Sequence, residues 1–146
     1  MTLCVTLNNG VKMPVIGYGV YQVHQGICAE CVKNAIQVGY RHIDTAQMYF
    51  NEKEVGDGIR LSGIPRNQIF VTTKTCTNGY INTKNSIAES LRKFGFNYFD
   101  LILIHWPQSD NLGTYKALEE AYKEGKCRAI GLSNFGENDF LLIYIK

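Results

Sequence analysis

Apolar and polar positions alternate between two rhythms along this chain. From about Ile27 to Val38 they recur at helical spacing, with Cys28, Cys31, Val32 and Ala35 on one face, and Gly39 stops the pattern. Arg41 to Asp44 then reads as a short strand, and Thr45 to Asn51 as the loop leaving it. A second helix is expected from Asn51 to about Leu61, opened by Glu52 and Glu54 at the positive end of its dipole and stopped at Gly63. Ile69 to Lys74 is β-branched and aromatic enough for a strand. Another helix is expected from about Thr83 to Phe94, with Ile87, Leu91 and Phe94 on one face. Asp100 to His105 is apolar until its last residue, the pattern of a strand covered on both sides. Thr114 to Lys123 is helical, with Ala117, Leu118, Ala121 and Tyr122 facing inward, and Arg128 to Asn134 forms the fifth strand.

Ahead of these units, Val5 to Leu7 and Val11 to Met13 flank Asn8-Asn9-Gly10, whose Asn-Gly pair supplies the positive φ angles of a tight hairpin. This hairpin is expected to lie as a lid on a barrel floor. Met13 to Tyr21 reads as a buried strand ending in small residues, where Gly19 leaves room for something bulky. Gln22 stands where a dinucleotide-binding glycine loop would need its third glycine, so Gly17-x-Gly19 carries little by itself.

The polar residues at the strand ends, Asp44, Lys74, His105 and Ser133, follow one another at intervals of 30, 31 and 28 residues. One strand plus one crossover helix fills such an interval, and its repetition implies a parallel sheet with every strand exit on the same side. The four residues then share one rim, and Tyr49 rides the loop after the Asp44 strand.

Composition narrows the function. With 146 residues, 45% of them hydrophobic, the chain suits one domain spanning 1–146. Fifteen basic and 13 acidic residues are well mixed at a net charge of +2, which gives no footprint for nucleic acid or a membrane surface and favours a small-molecule partner. The first ten residues lack a basic segment followed by an apolar run, and a cytoplasmic location is expected. The five scattered cysteines suit a reducing compartment, and Cys28-x-x-Cys31 is read as core packing rather than a metal site.

At the rim, a lysine beside an aspartate and a tyrosine can turn a phenol into a usable acid, because a neighbouring ammonium favours the phenolate. Tyr49 is expected to protonate a carbonyl oxygen as hydride reaches the carbon. Asp44 would keep Lys74 charged and in place, and His105 would fix the carbonyl through a hydrogen bond.

Here the sequence resembles a known family. Gly39-Tyr40-Arg41-His42-Ile43-Asp44-Thr45-Ala46, with Glu52 and Val55-Gly56 downstream, is similar to the first signature of the aldo-keto reductases. Ile130-Gly131-Leu132-Ser133-Asn134-Phe135 resembles the second, and Ile104-His105-Trp106-Pro107 fits between them. The resemblance implies an NADPH-dependent carbonyl reductase on a (β/α)8 TIM barrel, with Tyr49 as acid and Asp44, Lys74 and His105 completing the tetrad. It also implies that Ser133 and Asn134 hold the nicotinamide carboxamide, that Gly19, Val20 and Tyr21 lie beside the cofactor, as does Asp44, and that Trp106 lines the substrate pocket with His105.

A complete barrel of this kind takes about 250 residues, so the expected architecture is a partial one of about five strand-helix units behind an N-terminal hairpin. No counterpart of the family's third, phosphate-gripping signature is visible, and Phe50 stands where the family commonly has glycine. The chain is therefore expected to be a fragment with weak or absent NADPH binding, prone to self-association through open sheet edges, a hazard to which Phe140 to Ile145 adds. Two other readings stay open. His42, Asp44, Lys74 and His105 could form the rim of a metal-dependent hydrolase, or the half-barrel could serve as a non-catalytic interaction module.

Overall fold

The structure is a computed structural model and describes residues 3–139, so Phe140 to Ile145 fall outside it. Two strands, β1 (Cys4–Thr6) and β2 (Lys12–Pro14), pair antiparallel around Asn8-Asn9-Gly10, and Gly10 takes a φ of 85° that few other residues tolerate. A five-stranded parallel sheet follows in the order β3 (Tyr18–Gly19), β4 (His42–Asp44), β5 (Phe70–Thr75), β6 (Phe99–Ile104), β7 (Cys127–Leu132). Four helices make the crossovers: α1 (Gln25–Gln37), α2 (Glu52–Ser62), α3 (Tyr80–Phe94) and α4 (Asn111–Lys123). Chain order and spatial order coincide, the arrangement of a barrel wall wound in one direction.

Successive residues of β5 serve opposite faces. Val71 joins the helix-side core with Ile43, Val55, Ile87, Phe94, Ile102 and Leu118, while Phe70 packs with Leu101 and Ala129 on the inner face. Leu7, Val11 and Met13 of the hairpin cover that inner cluster, and Asn9 donates to the Arg128 carbonyl at 2.8 Å. The expected lid on the floor is thus what the hairpin forms. Also at the floor, the buried Asp100 carboxylate accepts from Arg66 at 2.8 Å, Arg128 at 2.8 Å and the Val71 amide at 2.9 Å.

Several boundaries differ from the sequence reading. Helix α3 begins at Tyr80 and α4 at Asn111, each about a turn early; Asp110 caps α4 by accepting from the Gly113 amide. The expected Met13 to Tyr21 strand is split: Met13 and Pro14 belong to β2, Val15 and Ile16 are exposed, and Tyr18 and Gly19 pair in β3, the outermost strand of the sheet among the described residues. Among the described residues, strand β7 forms the other edge of the sheet. Beside it a cavity of about 1650 Å³ runs along α4, lined by Leu112, Tyr115, Ile130, Leu132 and Phe135.

Candidate active site

All five parallel strands deliver their C-terminal ends to one rim. Beyond the last paired residues the ladder continues, with Val20 donating to Asp44 O, Thr45 to Thr72 O, His105 to Thr75 O and Ser133 to Ile104 O, all within 2.9–3.1 Å. These bonds fix where each exit loop starts.

Asp44 closes β4, and its carboxylate lies 2.5 Å from the ammonium of Lys74 on β5. Lys74 also donates to the Thr45 carbonyl at 3.0 Å, so the long side chain is held at two points and is largely buried. Its ammonium stands 5.2 Å from the centre of the Tyr49 ring, within cation–π range. Tyr49 ends a single 3-10 turn, Gln47–Tyr49, that follows the Asp44 strand. The Tyr49 ring meets His105 edge-on at 5.8 Å and Tyr21 at 5.0 Å. His105 in turn stacks on Trp106 at 3.7 Å. Tyr21, Tyr49, His105 and Trp106 thus form an unbroken chain of rings along the rim.

The electrostatics reverse one expectation. Burial, followed by the Asp44 carboxylate and Tyr21, pushes the Tyr49 phenol above its ordinary value rather than below it. Burial disfavours the charged phenolate, and the nearby Asp44 carboxylate, itself paired with Lys74, adds to that direction. The Tyr49 phenol consequently keeps its proton at neutral pH. His105 is 3% exposed, and burial together with the Lys74 charge lowers it to about 4, leaving a neutral imidazole. Its Nδ1 is shut from solvent without a hydrogen-bond partner among the described residues.

Asn134, at a φ of 61°, donates to the His105 carbonyl at 2.8 Å and to Ser133 Oγ at 3.1 Å, tying the β7 exit to the β6 exit. Gly19 is the register partner of Asp44, and the space a side chain would fill there is open. Val20 departs from its expected place beside a cofactor. Its side chain is fully buried in the helix-side core, and its carbonyl accepts from Asn51, so it supports the rim from below. His42 lies two residues before the rim residue Asp44 on β4, and its imidazole contacts Thr72 Oγ1 at 2.9 Å and the Pro14 carbonyl at 3.3 Å, which engages both ring nitrogens below the Asp44–Lys74 pair. His42 therefore does not join a ligand set with Asp44, Lys74 and His105. The cavity between α4 and β7 reaches Asn134 but none of Asp44, Tyr49, Lys74 or His105.

Sequence reading missed the residues that hold the loop. Buried Asn51 accepts from Thr45 Oγ1 at 2.8 Å and donates to Val20 O at 3.0 Å, closing the Thr45 to Asn51 loop on itself. Gln47 donates to Ser86 and Ser90 on α3 and accepts from the Cys76 amide. The signal for these was the polarity of Thr45, Gln47 and Asn51 in a stretch whose other residues, Ala46, Met48, Tyr49 and Phe50, are apolar or aromatic.

Residues 16–139 match the model of the aldo/keto reductase family. The chain belongs to the aldo/keto reductase family. It is 50% identical over 136 residues to the 9,11-endoperoxide prostaglandin H2 reductase of Trypanosoma cruzi, covering 90% of this chain and 48% of that protein. It is also 50% identical over 135 residues to the glyoxal reductase of Bacillus subtilis, covering 90% of this chain and 49% of the relative. The crystal structure of an aldo/keto reductase from Brucella melitensis superposes with a TM-score of 0.95 at 40% identity, over 99% of this chain and 59% of that one. A Bombyx mori aldo-keto reductase in complex with NADP superposes with a TM-score of 0.90 at 32% identity, over 99% of this chain and 54% of that one. The chain spans about half the length of the curated relatives it matches. Its sheet is accordingly a partial aldo/keto reductase barrel, five consecutive parallel strands with their helices and the N-terminal hairpin.

Proposed function

We propose that the rim of Asp44, Tyr49, Lys74 and His105 serves the reduction of aldehydes or ketones to alcohols with NADPH. The observation that carries this reading is the placement of Lys74, pinned to Asp44 at 2.5 Å and set 5.2 Å from the Tyr49 ring, beside a neutral His105. A carbonyl group needs two things from a protein: donors at its oxygen and a proton once negative charge develops there. Tyr49 supplies the proton. His105, a neutral imidazole, supplies a second donor that does not itself compete to lose a proton. Lys74 places a positive charge near the developing alkoxide without leaving the pocket, because Asp44 and the Thr45 carbonyl hold it.

The residues also fit a nicotinamide. Gly19 leaves open space beside Asp44 where a planar ring can approach. The Ser133 hydroxyl and the Asn134 side-chain carbonyl form a donor and acceptor pair of the kind a carboxamide requires, since the Asn134 amide group is already spent on His105 O and Ser133 Oγ. NADPH would supply the hydride when bound; Gly19, Tyr21, Ser133 and Asn134 would orient it, and Asp44 and Lys74 would border it. Trp106, stacked on His105 and 44% exposed, would offer the substrate an apolar wall.

The test is aldehyde-dependent loss of NADPH absorbance, measured for the chain alone and for residues 1–139 joined to the C-terminal half of the Bacillus subtilis glyoxal reductase. Turnover by the fusion supports the reading. A folded fusion that binds NADPH and reduces no member of an aldehyde and ketone panel overturns it.

A further inference from the structure

Glu52 is a buried acidic residue for which the proposed chemistry has no use. It is 4% exposed at the start of α2, three residues after Tyr49. Thr73 Oγ1 donates to it at 2.6 Å, and Ser90 of α3 hydrogen-bonds to it as well. Ser90 Oγ simultaneously accepts from Gln47 Nε2 at 3.0 Å. The donors run in one direction, Gln47 amide to Ser90 hydroxyl to Glu52 carboxyl, with the Thr73 hydroxyl arriving from β5. Gln47 opens the 3-10 turn that Tyr49 closes, and its side-chain carbonyl accepts from the Cys76 amide at 3.2 Å just past β5. Thr73 is the chain neighbour of Lys74. The turn carrying the phenol and the strand carrying the ammonium are thus tied to the same buried carboxyl group.

We infer that Glu52, acting through Ser90 and Gln47, is a positioning residue that fixes the Tyr49 turn against the Lys74 strand. The inference rests on the reading of Tyr49 as proton donor only for its functional consequence; the mechanical link stands on its own. A buried carboxyl group is costly to keep unless its hydrogen bonds are satisfied, and here both known partners lead to the two catalytic elements. Asn51 ties the two ends of the loop together through Thr45 and Val20, and Gln47 also donates to Ser86, but among the described residues the Glu52 link alone joins the turn to the interior of β5. Within the turn, Tyr49 N bonds Ala46 O at 3.0 Å, and Phe50 leaves it at a φ of 56°, a strained angle for a side chain of that size.

The experiment compares amide hydrogen exchange of the 146-residue chain with that of Glu52→Ala, Glu52→Gln, Ser90→Ala and Gln47→Ala. Severing the link at any of its three members should speed exchange of the Tyr49 amide about tenfold or more while β5 and β6 keep their protection. Glu52→Gln, which preserves a hydrogen-bonding group of the same size, should stay close to the parent. Equal exchange in parent and Ser90→Ala, or acceleration spread evenly over the whole sheet, would overturn the inference. In the fusion described above, Ser90→Ala should lower kcat about tenfold with KM for NADPH unchanged. Failure of the parent fusion to reduce any carbonyl would defeat the functional reading alone, since the exchange result is read without turnover.

Discussion

The carboxylate of Asp44 and the ammonium of Lys74 meet at 2.5 Å across two neighbouring strands, 30 residues apart in sequence. Register places Asp44 beside Thr72, so Lys74 reaches back toward it from one pleat further along β5. Removing the acid leaves the ammonium facing the Thr45 carbonyl alone. Asp44→Ala should destabilise the chain by about 1–2 kcal/mol, below the ~3–5 kcal/mol typical of a fully dry pair because the carboxylate is 34% exposed. Urea unfolding of the two proteins checks this, and Lys74→Met, which removes the buried charge itself, should cost less.

His105 should stay neutral far into acid. Its folded value is lowered to about 4 from 6.5, so the unfolded chain binds more protons than the folded one between those limits. Stability from this residue is present above pH 6.5 and is lost as pH falls toward 4. NMR of the imidazole should show the neutral form at pH 5.5 and half-protonation near 4, and His105→Gln should flatten part of the acid limb of the stability profile.

Tyr49 should titrate above the ordinary phenol value of about 10, the direction set by burial and by Asp44. The alkaline difference spectrum between the parent and Tyr49→Phe isolates this one phenol. In Asp44→Asn, which removes the carboxylate that raises it, the Tyr49 titration should move down.

Two predictions concern the scaffold. An added Cβ at Gly56 would stand 1.9 Å from the carbonyl oxygen of Phe94, a backbone atom that cannot rotate away. Gly56→Ala should therefore force α2 from α3 and cost at least about 2–3 kcal/mol by thermal unfolding. At the floor, Asp100→Ala leaves Arg66, which is 10% exposed, without its carboxylate and should cost about 3–5 kcal/mol while leaving the Asp44–Lys74 pair at the opposite end of the strands intact.

Much of this architecture was legible because it depends on short-range rules. Helix stops at Gly39, Gly63 and Gly95, the unbroken apolar run before His105, and the even spacing of Asp44, Lys74, His105 and Ser133 each required only periodicity and strand-end logic. What escaped was long-range. Whether the Tyr49 phenol shifts up or down depends on how deeply its ring is buried and how near Asp44 stands, neither of which spacing encodes. The family resemblance placed Val20 beside the cofactor with its neighbours Gly19 and Tyr21, yet its side chain is fully buried in the helix-side core. The Glu52–Ser90–Gln47 link joins positions up to 43 residues apart on three elements; Glu52 stood out only as part of the first signature and as a helix opener, and nothing local connects it to Ser90 or Gln47.

The most direct test of the rim as a carbonyl-reducing site is the turnover rate of Tyr49→Phe in the fusion of residues 1–139 with the C-terminal half of the Bacillus subtilis glyoxal reductase. With NADPH affinity retained, aldehyde reduction should fall by about a hundredfold or more, the scale of losing a positioned acid. A Tyr49→Phe fusion that binds NADPH as the parent does and reduces aldehyde at the parent rate would contradict the assignment.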